Sequence, residues 1–225
     1  MSKTKEVLHD IIEREQRATM QDTRDYPILF DTEMVRSILS GKKINTRRLF
    51  KSPLSKALEP AHEIWHDGVE WIARLKNGQC YKYPIVCPWG EPGDYLWVKE
   101  TWKPECVYAN GNAASYYYLA DNPSSKSTVN KFRPSIHMPK TAARIWLQIT
   151  DVKAQRIQTI TETEAWAEGV QLAKILGLGE IGQSNYREGF IAKWISIYGI
   201  ESFYENPWVW AIKFSVCESK PYIIS

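Results

Sequence analysis

The residues best placed to do chemistry sit in one short run, GKKINTRR, at positions 41–48. Lys42, Lys43, Arg47, Arg48 and Lys51 fall within ten residues, and no acidic residue interrupts them. Like charge and burial both lower the pKa of a lysine, and a neutral lysine is a general base. Thr46 lies three residues after Lys43. It offers a hydroxyl that such a base can activate as a nucleophile, or that can hold a water. In an extended strand Lys43 and Thr46 would face opposite ways, because alternation has period two. A turn or bulge beside Gly41 would bring both to one cleft. Arg48 is suited to an oxyanion or a phosphate. Lys42, Asn45 and Arg47 complete the loop as candidate substrate contacts. A basic run is, however, most often a solvated face.

Other constellations are weaker. His62 and His66 are four apart, as a metal pair on a helix would be, but Pro60 and Asp67-Gly68 flank them and the segment reads as a hairpin. No metal or other cofactor is expected. Ser135-Ile136-His137 lacks a nucleophile elbow. His137 and Arg144 read instead as cleft-lining residues. Glu100, Trp102 and Tyr117 fall on expected barrel strands, where they would contact a base by stacking or hydrogen bonds. For the aromatics, core packing competes with that role.

The elements that must position these residues follow from pattern. Tyr26–Phe30 reads as a strand. Asp31 is a helix N-cap, Met34, Val35, Ile38 and Leu39 repeat at helical spacing, and Gly41 is a stop. The basic loop follows at once. Residues 63–86 read as hairpins around Asp67-Gly68 and Asn77-Gly78. YLWVKETW (95–102), SYYYL (115–119), RIWLQITDVKAQRI (144–157) and PWVWAIKFSV (207–216) read as strands. Residues 121–134 read as a mobile surface loop. Thr161 and Glu164 form a capping box. The helix they open continues through Ala165, Trp166 and Val170, weakened by Gly169. Residues 172–184 read as irregular. Phe190, Ile191, Trp194 and Ile195 mark a last helix that ends near Gly199.

Bulk composition bounds the class. The chain has 225 residues, net charge +3, ten Trp and twelve Tyr. That charge is too mild for a protein that coats DNA. The four cysteines have no two-residue spacing, so free thiols in a reducing compartment are expected. The N-terminal MSKTKEVLHDIIEREQ is too charged for a signal peptide, and no apolar run reaches membrane-spanning length. A cytoplasmic protein with no membrane partner is expected. Residues 1–25 read as a helical appendage on a domain covering 26–225.

The run GKKINTRR after MVRSILSG resembles the G-x-K-x-x-T-x-R signature of ASCH domains, a branch of the PUA-like β-barrels. Gly41, Lys43, Thr46 and Arg48 stand at its positions. PGDYLWVKETW is similar to the Gly-Asp turn and barrel strand of that family, and PWVWAIKFSV to its closing strand. The order of PILF, TRR, PGD-LWV, RPSIHMP and NPWVW resembles the larger ASCH proteins of phage and prophage genomes. The resemblance implies an α+β fold: a mainly antiparallel, partly closed barrel with short helices at its rim, and insertions at about 52–92 and 103–140. It implies that Glu168, in the helix after the long strand, joins Lys43 and Thr46 as the acid/base partner of an amidohydrolase acting on N4-acylated cytidine. Glu168 could alternatively only pair with Arg48. A non-catalytic module binding RNA in preference to DNA, and a ribonuclease using Lys43 or His137, are the alternatives. The expected partner in every case is a modified nucleoside or a nucleic acid.

Overall fold

The computed structural model describes residues 23–51, 54–68, 70–83, 86–107, 113–121, 131–170 and 185–221. Residues 1–22 of the expected N-terminal appendage, the irregular stretch 172–184 and most of the loop 121–134 lie outside these residues. The architecture is mixed α and β, dominated by antiparallel sheets with a few short helices.

The main sheet has five strands: β1 (Asp25–Leu29), β2 (Asn45–Leu49), β6 (Tyr95–Lys99), β9 (Trp146–Arg156) and β10 (Trp208–Val216). Their order is β1-β6-β9-β10-β2, with β1 and β6 parallel and every other pairing antiparallel. One face of all five strands feeds a single core. Ile28 and Phe30 from one edge, Phe50 from the other, and Leu96, Leu147, Trp210, Ile212 and Phe214 between them all belong to it. The two edges also touch directly, because the Arg48 guanidinium on β2 donates to the Leu29 carbonyl on β1 at 2.6 Å.

Two smaller sheets accompany the main one. Strands β3 (Ala61–His66), β4 (Trp71–Leu75) and β5 (Cys80–Tyr83) form one, preceded by the single turn α2 (Leu54–Ala57). Strands β7 (Trp102–Val107) and β8 (Ala113–Tyr118) form a two-stranded ribbon. Trp102 and Tyr117 therefore lie on this ribbon and not on the main sheet, which corrects the expectation that they are barrel residues. The chain leaves β6 at Glu100 and starts a new ribbon within three residues, a break that a continuous apolar pattern does not reveal.

The helices follow their caps. Helix α1 (Thr32–Leu39) begins where the Asp31 carboxylate accepts from Met34 N at 2.8 Å. It buries Val35 and Ile38, and Gly41 at φ +71° ends its turn. Helix α3 (Glu162–Ala167) carries the expected capping box of Thr161 and Glu164. It stops at Ala167, short of the expected Val170, because Gly169 adopts φ +73° and terminates the helix where it was expected only to weaken it;. Helix α4 (Tyr186–Tyr198) ends at Gly199, as its periodicity predicts, and is followed by α5 (Ile200–Tyr204), which pattern reading misses. Phe190 and Trp194 of α4 pack with Val209, Leu49 and Ala165 in a second core on the outer face of the sheet. Among the described residues no helix is long and apolar enough to cross a membrane.

Candidate functional site

Two helix ends and the start of an edge strand build the site. After α1 the chain turns back so that the backbone N–H groups of Lys42 and Lys43 both donate to the Ser37 carbonyl. Lys43 thus precedes β2 and lies in a turn, which frees it from strand alternation. The C-terminus of α3 packs on this turn. Ile44 N donates to the Ala167 carbonyl at 2.9 Å, and the Ser37 hydroxyl donates to the Gly169 carbonyl at 3.0 Å.

That packing seats Glu168 against Lys43. The ammonium Nζ donates to Glu168 Oε2 at 2.7 Å and to the Glu168 backbone carbonyl at 2.8 Å. The other carboxylate oxygen, Oε1, accepts from Arg47 at 3.0 Å. Lys43 is 0% exposed and Glu168 5%. Glu168 therefore pairs with Lys43 and Arg47; no hydrogen bond or ion pair to Arg48 is formed among the described residues. Two donated bonds occupy two of the three ammonium protons. A neutral amine keeps two N–H groups, so the same two bonds survive loss of the third proton. Burial pushes the Lys43 pKa down from its ordinary value; the Glu168 carboxylate opposes this, and the Arg48 charge adds to it. Burial outweighs the paired carboxylate, even though the face of the Phe30 ring, 5.5 Å from Nζ, also favours the charged form;.

Alternation along β2 then sorts the basic cluster into two faces. Thr46 and Arg48 turn toward the main core. The Arg48 guanidinium stands 5.1 Å from the centroid of the same Phe30 ring and is bonded to Tyr198 at the end of α4. Thr46 is 3% exposed, and its hydroxyl makes no hydrogen bond among the described residues. Asn45 and Arg47 turn the other way. Arg47 is buried between Glu164, Glu168 and the Phe190 ring, and the Asn45 amide donates to the Glu164 carbonyl at 3.4 Å. Their expected substrate contacts do not follow from this placement. Lys42 is exposed beside the turn.

A second charged group adjoins the same end of the sheet. Phe30 N donates to the Lys99 carbonyl, which brings Glu100 next to the Phe30 strand end. Glu100 is 1% exposed and receives Arg144 through both Nε (2.9 Å) and NH2 (3.1 Å). Arg144 also binds Asp121 and lies 4.0 Å from the Tyr118 ring centroid. Burial raises the Glu100 pKa, against the lowering effect of Arg144. His137 is exposed, one residue before Met138, whose sulfur accepts from Glu100 N. Trp102 is buried with Met138 and Ala142 in a small core of its own, so it is a packing residue and not a stacking platform. His62 and His66 both lie on the strand β3, and among the described residues no group of three or more His, Cys, Asp or Glu is placed to hold a metal.

Sequence reasoning misses Ser37, Phe30, Tyr198 and Gly169. Only Gly169 leaves a signal, as a glycine shortly after a capped helix. A Cβ there would stand 2.7 Å from Lys43 Cβ and 2.8 Å from Ser37 Cβ, at a φ of +73°. Gly169→Ala is therefore expected to lose about 1–3 kcal/mol, from backbone strain and from the forced parting of α1 and α3. A urea midpoint equal to that of the unmodified protein would show the glycine is not needed there.

Comparison with known proteins adds little. No protein-family model matches the chain, and no curated protein matches it. Among solved structures, protein EF3133 from Enterococcus faecalis V583, described under the DUF984 family, is similar at TM-score 0.32 and 12% identity, over 100% of this chain and 99% of that one. At that distance the likeness carries no argument about fold or function.

Proposed function

We propose that the protein is an ASCH-type member of the PUA-like barrels and a metal-independent amidohydrolase that removes an acyl group from an N4-acylated cytidine or a similar modified base. The observation that carries this reading is the buried Lys43–Glu168 contact beside the Thr46 and Arg48 face. A partly closed barrel is supported by the Arg48 bond between the two sheet edges and by their shared core.

In this reading neutral Lys43 takes the proton of the Thr46 hydroxyl as Oγ1 attacks the acyl carbonyl. Arg48 faces the developing oxyanion. The proton on Lys43 passes to Glu168, 2.7 Å away, and from there to the leaving N4 amine. Water, deprotonated by the same lysine, then releases the acyl group from Thr46. Lys42 at the rim and the Glu100–Arg144 pair are the groups left to hold the nucleoside, with His137 at the periphery. The substrate is a free modified nucleoside or that base in RNA, in a cytoplasmic setting.

The test is hydrolysis of a panel of N4-acylated cytidines by the unmodified protein, followed by release of cytidine. The complete enclosure of Lys43 also suits a purely structural ion pair in a nucleic-acid-binding module;. Binding of RNA without hydrolysis of any panel member would establish that second reading and remove the first.

The pH dependence has a definite sign. Activity requires neutral Lys43, so turnover rises with pH through a limb that lies below the ordinary lysine value of 10.5. Between that lowered value and 10.5 the unfolded chain binds the proton that the folded chain has released. The Lys43 contribution to stability therefore grows as pH rises through that window. A pH–rate profile with its limb at or above 10.5, or no limb, would remove Lys43 as the base.

A further inference from the structure

A cavity of about 430 Å³ lies apart from the Lys43 site and shares no residue with it. Its walls come from β3 and β4, the Gly90–Pro92 turn, and the C-terminal half of β9. Its most informative wall is backbone. Ile157 N donates to the Pro207 carbonyl, and Gln155 then faces Val209, and Lys153 faces Ala211. Opposed positions in an antiparallel pair alternate between bonded and non-bonded. Gln155, Lys153 and Asp151 therefore direct their backbone groups to β10, while Ala154 and Val152 direct theirs to the opposite side. There β6 no longer runs alongside, because its pairing ends at Tyr95 with Gln148, and Gly93 and Asp94 make the last bonds, to Ile149. Among the described residues nothing pairs the outward N–H and C=O groups of Val152 and Ala154. Both residues line the cavity, and Ala154 is 8% exposed. Enclosed backbone groups of this kind take a partner, from solvent or from a ligand.

The other walls say which ligand. Trp65 and Trp71 line the cavity. The Arg74 guanidinium covers one face of Trp65 at 5.0 Å, which leaves the other for a ligand, and Trp71 is a core residue held edge-on by His66 and Trp210. Asp151 is paired with Lys153 at 3.1 Å. Glu91 adds a carboxylate with no ion pair among the described residues, so the lining does not favour a phosphate. The two outward-facing residues span about 7 Å, two strand steps. That matches one heterocycle and is short for an added strand of peptide. We infer that this cavity binds a planar heteroaromatic ring of nucleobase kind, uncharged, through its donor–acceptor edge against Val152 and Ala154 and its face against Trp65. The inference is independent of the amidohydrolase reading and concerns a second site.

The test uses the full chain, labelled with nitrogen-15, titrated with adenosine, guanosine, cytidine and uridine. At least one nucleoside moves the Val152 and Ala154 amide resonances. Trp65→Ala weakens that binding on the order of ten-fold or more, the scale of one lost base–aromatic stack. Trp65→Phe, which keeps a ring, retains most of it, so loss by misfolding is separable. Thr46→Val leaves it unchanged, which separates this site from the hydrolytic one. No movement of those two amides by any of the four nucleosides at millimolar concentration overturns the inference. So does binding undiminished in Trp65→Ala, or movement of those amides only by a blocked Thr-Val hexapeptide, which would mark the edge as a strand acceptor.

Discussion

Glu168→Ala is expected to cost about 3–5 kcal/mol of folding stability, the usual result of removing one partner from a buried ion pair. The reason lies in what the carboxylate holds. Its two oxygens take Lys43 at 2.7 Å, from the turn before β2, and Arg47 at 3.0 Å, from β2 itself. Lys43 is fully enclosed, and its remaining described hydrogen bond is to a carbonyl. Deleting the carboxylate leaves that ammonium without a counter-charge, whereas Arg47 keeps Glu164 at 3.1 Å. The double variant Glu168→Ala with Lys43→Met should recover much of the loss, because the unpaired charge leaves with its partner. Denaturant unfolding at neutral pH measures both. A loss under 1 kcal/mol for Glu168→Ala would mean the pair is far wetter than its burial indicates.

The second large effect is on turnover. If the amidohydrolase reading holds, Lys43→Ala should lower turnover of an N4-acylated cytidine on the order of 10²–10⁴-fold, the contribution of a positioned general base. Thr46→Val keeps the shape and deletes the nucleophile, so it should abolish turnover with little loss of binding. Lys42→Ala, at the exposed rim, should change mainly KM, in a salt-dependent way. Equal, modest losses of binding in Lys42→Ala and Lys43→Ala, with no turnover to lose, would leave a module that only grips nucleic acid.

Much of the local structure was legible because it is written in short-range chemistry. The Asp31 cap, the Thr161–Glu164 box and the Gly199 stop need only neighbours in the chain, and each appears where its residues predict. The meeting of Lys43 with Glu168 spans 125 positions, and no periodicity encodes it; Glu168 was reached through the ASCH-like motif order. The split of the basic run was not legible either. Alternation states that Arg47 and Arg48 face apart, but not that α3 and α4 cover the Arg47 side. The open edge at Val152 and Ala154 was hidden for a related reason. RIWLQITDVKAQRI predicts one long strand, but its neighbour β6 stops partway along it, and strand pattern is silent about neighbours.

The end of α3 has one more consequence. Strand β2 is an edge of the main sheet, and an uncovered edge is a template on which other chains add strands. The Ala167 carbonyl takes the Ile44 N–H, and the Glu164 carbonyl takes the Asn45 side chain, so the helix that supplies Glu168 also packs over that edge where the strand begins. Damage to this helix end therefore does not yield a quiet, inactive monomer. It uncovers a sticky strand beside a cluster of positive charge, and the protein that loses its carboxylate's seating becomes prone to aggregate.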